Sequence, residues 1–175
     1  MNKFNLKEAI EILERTPAVL ISFLSGLSDR WIYNNEGGES WSPYDIVGHL
    51  IHGEKKDWIG RTKIILEHGE EKPFEPFDRF AQFKDSKGKT LNDLLKELAK
   101  LRTENIEVLN KLNLNEIDFN KKGIHPGLGS VTLKQLLSTW VVHDLSHIRQ
   151  ISRVMAKQYK DEIGPWGRYL PVMSE

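Results

Sequence analysis

His143-Asp144-Leu145-Ser146-His147 lies inside a run in which Leu133, Leu136, Leu137, Trp140, Ile148, Ile151, Val154 and Met155 recur at helical spacing. The pattern predicts a helix from Leu133 to about Ile163, opened by the capping box Thr132-x-x-Gln135 and stopped by Gly164-Pro165. His143 and His147 fall within the apolar stripe one turn apart, so both rings leave water on the same face. Imidazoles so placed need partners for their nitrogens. A divalent cation serves both rings at once; hydrogen bonds inside the core are the other way to satisfy them, and the spacing is compatible with either.

Three more helices are marked by their punctuation. Asn5-x-x-Glu8 opens the first, which Thr16-Pro17 either restarts or kinks before it ends near Gly26. Ser42-Pro43-x-Asp45 opens the second, with Ser42 as cap and Pro43 in the first turn, and it runs to roughly Glu67 before Gly69. Thr90-x-x-Asp93 opens the third, whose stripe of Leu91, Leu94, Leu95, Leu98, Leu101, Ile106 and Leu109 reaches about Leu112. Between the second and third helices, residues 69–89 hold Pro73, Phe74, Pro76, Phe77, Phe80 and Phe83 among charges. That composition suits a long ordered connection packed by its aromatics, crossing the bundle. No segment alternates convincingly as a strand. The expectation is an all-α chain: a four-helix bundle with a long crossover connection between helices 2 and 3, one domain over residues 1–175.

Composition removes several classes of function. The 175 residues contain no cysteine, which excludes a disulfide framework, a cysteine zinc site, an iron–sulfur cluster and a cysteine nucleophile. Any metal must be held by His, Asp, Glu or water. Lys plus Arg equals Asp plus Glu at 25 each, so no overall basic field draws nucleic acid. The amino-terminal stretch Met1–Ile10 carries Lys3, Lys7 and Glu8 and lacks an apolar signal core, and no apolar run approaches a membrane span. A soluble cytoplasmic protein with neither nucleic acid nor membrane as partner is expected.

The second helix has an unusual face. Ile46, Val47, Leu50 and Ile65 define one side, whereas Gly48, His49, His52, Gly53, Lys56 and Gly60 gather on the other. Glycine is costly within a helix, so several on one face point to a close helix approach or to room left for a ligand. Two imidazoles hold a metal weakly; three leave a tetrahedral ion one open position for water or substrate. Periodicity alone does not bring His49 to His143.

The order Trp41-Ser42-Pro43, His49-Leu50, His125-Pro126-x-x-Gly129, His143-Asp144-x-x-His147-x-x-Gln150-Ile151 and Gly164-Pro165-Trp166 resembles the DinB-like superfamily of metal-binding four-helix bundle proteins, over nearly the whole chain. The resemblance implies a bundle with a long crossover, a homodimer, and one divalent metal held by His49, His143 and His147. His52 has no slot in it. Three neutral imidazoles accept several ions, zinc and nickel foremost. The implied function is a metal-dependent enzyme on a small molecule, transferring an external low-molecular-weight thiol to an electrophile. A metal-dependent hydrolase and a non-catalytic, metal-stabilised, stress-linked binding bundle are the alternatives.

Other residues read less sharply. Asp144 beside the stripe needs a donor, either a ligand imidazole or an arginine; Asp144 and Gln150, one turn after His147, are candidate helpers at the site. The metalloprotease pattern His-Glu-x-x-His would make position 144 a general base, but aspartate is one methylene shorter and no other protease signature is present. His125 reads as a turn residue close to the start of the fourth helix. Trp41, Trp58, Trp140 and Trp166 read as core or interface aromatics, with Trp140 a candidate pocket wall, and His68 as a helix end. Glu54 and Arg61 read as a pair.

Overall fold

The computed structural model describes residues 3–174, so Met1, Asn2 and Glu175 of the expected domain and amino-terminal stretch lie outside the described residues. Its elements in chain order are α1 (Leu6–Leu24), α2 (Asp29–Tyr33), α3 (Pro43–Lys56), α4 (Trp58–His68), α5 (Ala81–Asp85), α6 (Leu91–Lys111), β1 (Lys122–His125), β2 (Gly129–Thr132) and α7 (Leu133–Lys157), with three short 3-10 turns. The four-helix bundle is present: α1 packs on α6 and α7, and α3 packs on the same two from the other side. The capping boxes at Ser42/Asp45, Thr90/Asp93 and Thr132/Gln135 close in both directions, while Asn5 Oδ1 accepts the amides of Lys7 and Glu8. No helix among the described residues is long and apolar enough to cross a membrane.

Two apolar clusters fill the bundle. One gathers Leu20, Leu24, Ile46, Leu50, Leu94, Leu98 and Ile151; the other gathers Leu13, Trp58, Ile65, Ile106, Leu109, Leu133, Leu137 and Trp140. Each fully buried leucine contributes about 2 kcal/mol of transfer free energy, the term that opposes chain entropy. Between the clusters, α3, α6 and α7 present polar residues, and the site is built at that level.

Pro17 does not restart the first helix, which runs unbroken from Leu6 to Leu24 with the proline inside it. Proline cannot donate to the carbonyl one turn back, that of Leu13, and this oxygen accepts from Arg102 Nη1 at 2.6 Å instead. A neighbouring helix thus satisfies the acceptor that proline strands.

Elsewhere the structure corrects the sequence reading. The second helix is two helices, broken at Asp57, whose backbone turns to φ −97°, ψ −74°. The break lays the Trp58 indole against Gly53, where a Cβ would meet Nε1 at 3.3 Å. Gly48 serves a close approach and leaves no room for a ligand, since a Cβ there would meet Ser86 Oγ at 2.5 Å as α5 crosses. α3 is therefore buried on all sides from Ile46 to Glu54. The connection is ordered and carries α5, but of its aromatics only Phe74 is buried, whereas Phe80 and Phe83 are 54% and 49% exposed. A small antiparallel hairpin, β1 with β2 in the register His125↔Gly129, was not foreseen. It has only four residues per strand, too few for alternation to register, and Gly123 lets it lie on Ile65 and Phe74. The last helix ends at Lys157, short of Ile163, because the apolar stripe stops at Met155 and polar residues follow.

Candidate metal centre

Ser42 fixes the start of α3, and His49 follows two turns on with its ring directed between α3 and α7. From α7, His143 and His147 project toward it. The three Nε2 atoms converge: His143 Nε2 lies 3.2 Å from His49 Nε2 and 3.2 Å from His147 Nε2, and the three ligand atoms sit within 4.8 Å of one another. His49 is buried; His143 and His147 are partly open.

Hydrogen bonds cannot satisfy this arrangement. His147 Nδ1 lies 2.8 Å from Gln150 Oε1, an acceptor, so the ring proton sits on Nδ1 and Nε2 is a bare lone pair. His143 Nε2 holds at most one proton in its neutral form and faces two nitrogens, so one close contact is left without a good hydrogen bond. Adding charge is not the remedy. Burial, then the neighbouring imidazoles and guanidinium groups, pushes His49 and His143 down to about 3, and burial likewise lowers His147. At neutral pH three uncharged imidazole nitrogens face one point, and that of His147 is a bare lone pair. Ligand nitrogens 2.0–2.1 Å from a tetrahedral ion stand about 3.3 Å apart, close to the spacing of the two short contacts, so the residues fit one divalent cation.

Aromatic rings hold the imidazoles. Trp41 lies 4.8 Å from His49 and 6.4 Å from His147 between ring centres, Phe77 lies 5.5 Å from His49, and Trp58 lies 5.2 Å from His143. The centre opens onto a cavity of about 1010 Å³ whose wall includes Trp41, Phe77, Arg79, Arg153, Gln150 and His125.

Several other residues singled out in the sequence stand apart from it. His52 is buried against Phe77 with Nδ1 3.5 Å from Asp85, outside the triad. His125 faces the cavity, but its Nδ1 accepts the amides of Gly127 and Leu128 at 3.1 and 3.2 Å and so shapes the hairpin turn. Trp140 is no pocket wall: it is fully buried, stacked on Trp58 at 5.6 Å. Trp166 is 70% exposed and belongs to no core of the described residues.

Asp144 turns to an arginine. Its carboxylate accepts from Arg102 Nη1 at 2.6 Å and Nη2 at 3.1 Å, while Arg102 Nη2 also donates to Glu54 at 2.8 Å. Glu54 accepts further from Asn105 at 2.9 Å and from Trp140 Nε1 at 3.0 Å. Burial opposes the charge on Arg102, but Asp144 and Glu54 outweigh it and hold the guanidinium protonated. Glu54 and Arg61 are therefore not partners; Arg61 pairs with Asp57 at 2.8 Å. The sequence did carry a signal for Arg102. It occupies a helical step between Leu98 and Ile106 in an otherwise apolar stripe, where a charge requires a buried counterion.

The comparisons agree with this architecture. The DinB superfamily pattern matches residues 12–151. YfiT from Bacillus subtilis, described as "a probable metal-dependent hydrolase with an unusual four-helix bundle topology", superposes with a TM-score of 0.77 at 24% identity, covering 90% of this chain and 90% of that one. No curated protein matches the sequence.

Proposed function

Since the chain belongs to the DinB superfamily, we propose that His49, His143 and His147 hold one divalent ion, zinc or nickel, and that the centre acts on a small molecule in the adjoining cavity. One observation carries the reading. The three donors converge from α3 and α7, yet His143 and His147 remain partly open beside a cavity of about 1010 Å³. A structural ion is closed off by protein ligands, whereas a catalytic one keeps a position free, so the open side favours turnover over a merely stabilised bundle.

When bound, the ion supplies Lewis acidity, which lowers the pKa of a thiol or water that it meets. The neutral imidazoles leave the charge of the cation undiminished. Gln150, through the 2.8 Å contact to Nδ1, holds His147 in the tautomer that directs its lone pair inward. Trp41, Trp58 and Phe77 keep water from the faces of the rings.

Thiol transfer is favoured over hydrolysis by the position of Asp144. On a metalloprotease helix that place supplies the general base; here the carboxylate is fully buried and committed to Arg102. A thiol ionises readily with Lewis-acid help and needs no such base. The chain has no cysteine, so the thiol comes from outside as a low-molecular-weight cosubstrate, conjugated to an electrophile. Hydrolysis is the second reading, supported by the description of YfiT. The proposed partners are the small substrate and a second copy of the chain, with Val142 and Leu145, 60% and 48% exposed on α7, as an apolar face for it; the proposed compartment is the cytoplasm.

Elemental analysis of protein purified without a histidine tag, followed by conjugation assays with small thiols, tests the proposal. His49→Ala and His147→Ala are expected to abolish the metal-dependent rate while the helical circular dichroism persists. A conjugation rate untouched by both changes overturns the catalytic reading.

A further inference from the structure

Three guanidinium groups line the cavity beside the histidines, and two are spoken for. Arg61 is tied to Asp57 at 2.8 Å, and Arg153 forks onto Glu36 at 2.8 and 3.0 Å. Arg79 makes no ion pair among the described residues. Its guanidinium is carried instead by two aromatic faces, 5.7 Å from the ring centre of Trp41 and 5.4 Å from that of Phe80. The turn beneath it is stiffened by the Phe80 amide, which donates to Asp78 Oδ1 at 3.0 Å. Trp41 in turn lies against His49 and His147. An exposed and uncompensated cation is thus held one ring away from the three converging nitrogens, on the wall of the same cavity.

We propose that Arg79 is a specificity residue that binds a carboxylate on the small molecule using the histidine centre. The rigid fork of a guanidinium accepts a carboxylate through two parallel hydrogen bonds, which gives orientation as well as attraction. The aromatic faces fix the fork before the ligand arrives and leave its outer edge free. A singly charged group suits the surroundings better than a phosphate dianion, since Arg79 offers one positive charge and the exposed Glu39 lines the same cavity.

This inference rests on the metal reading above, and the test separates the two. Cobalt-loaded protein is titrated with 3-mercaptopropionate and with the neutral 2-mercaptoethanol, following the sulfur-to-cobalt charge-transfer band. The unaltered protein should bind the carboxylate-bearing thiol about tenfold more tightly than Arg79→Gln does, with 2-mercaptoethanol bound alike by both. Arg79→Lys should retain part of the gain, and added salt should shrink it. Cobalt affinity should be the same in all three proteins. Equal binding of 3-mercaptopropionate by the unaltered protein and Arg79→Gln overturns the inference while leaving the metal centre standing; failure of the unaltered protein to take up cobalt overturns both. Stronger competition by inorganic phosphate than by acetate at matched ionic strength overturns the choice of carboxylate.

Discussion

Two polar clusters sit side by side within the same bundle, both drawn from α3 and α7, and they are built on opposite principles. The network of Glu54, Arg102 and Asp144 is sealed, with side-chain exposures of 1%, 2% and 0%, and its carboxylates are matched by guanidinium, amide and indole donors. The centre of His49, His143 and His147 is partly open, and its three inner nitrogens face one another with too few protons to pair both short contacts. Buried polar atoms are normally paired because desolvation without a partner costs about 1–3 kcal/mol. The first cluster obeys that rule at every carboxylate oxygen and at both Nη atoms of Arg102, leaving only its Nε without a partner among the described residues, and it locks three helices together. The second breaks it, and the proposed ion would supply the missing partner.

The largest effect expected from this contrast is in the sealed network. Arg102→Met leaves Glu54 and Asp144 buried without their counterion and strands the Leu13 carbonyl that Pro17 cannot serve. Removing one member of a buried charge cluster costs about 3–5 kcal/mol. Urea unfolding of the metal-free protein should show a loss of that size. A loss below about 1 kcal/mol would erase the distinction between the clusters.

The histidine centre should make stability depend on pH. Burial first, then the neighbouring imidazoles and guanidinium groups, holds His49 and His143 down to about 3, against about 6.5 in an unfolded chain. Between those values the unfolded chain binds more protons than the folded one. Stability of the metal-free protein is therefore full above about pH 6.5 and declines as the pH falls toward 3, with a slope approaching about 1.4 kcal/mol per unit for each of the two residues. Urea midpoints at pH 7, 6 and 5 measure it. His143→Ala should flatten the slope by about half, since it removes one of the two imidazoles that resist protonation. An unchanged slope would mean that these imidazoles are not the groups resisting protonation.

What the sequence disclosed follows the same division. The helices around His49, His143 and His147 were legible because caps and apolar periodicity are local signals, and Thr132-x-x-Gln135 sits where α7 begins. That the rings face one another was not legible from spacing; it depends on how α3 packs on α7, and the family resemblance supplied it. The break at Asp57 was hidden because the contact that accompanies it, the Trp58 indole against Gly53, leaves no periodic trace. The role of Asp144 stayed open between imidazole and arginine until Arg102, on a helix with no part in the motif, came within 2.6 Å. Arg79 left no mark at all, since an exposed arginine in a connection looks like any other.

The smallest effect tests how far the two clusters share a device. In the network every acceptor is oriented by a donor, whereas in the centre, among the described residues, only the outer nitrogen of His147 is held by a hydrogen bond: Gln150 Oε1 takes the Nδ1 proton at 2.8 Å, while Nδ1 of His49 and of His143 is buried without a partner there. Removing an outer hydrogen bond of this kind weakens metal affinity by about tenfold or more. Gln150→Leu should therefore lower zinc affinity about tenfold, roughly 1.4 kcal/mol, measured by competition with a chromophoric chelator, and leave metal-free unfolding nearly unchanged. Gln150→Glu should hold affinity at or above its original value, because a carboxylate accepts the same proton more strongly. Equal affinity in the original protein and in Gln150→Leu would show that packing against Trp41 alone aims the His147 ring, and the centre would then owe its geometry to aromatic walls and nothing to hydrogen bonding.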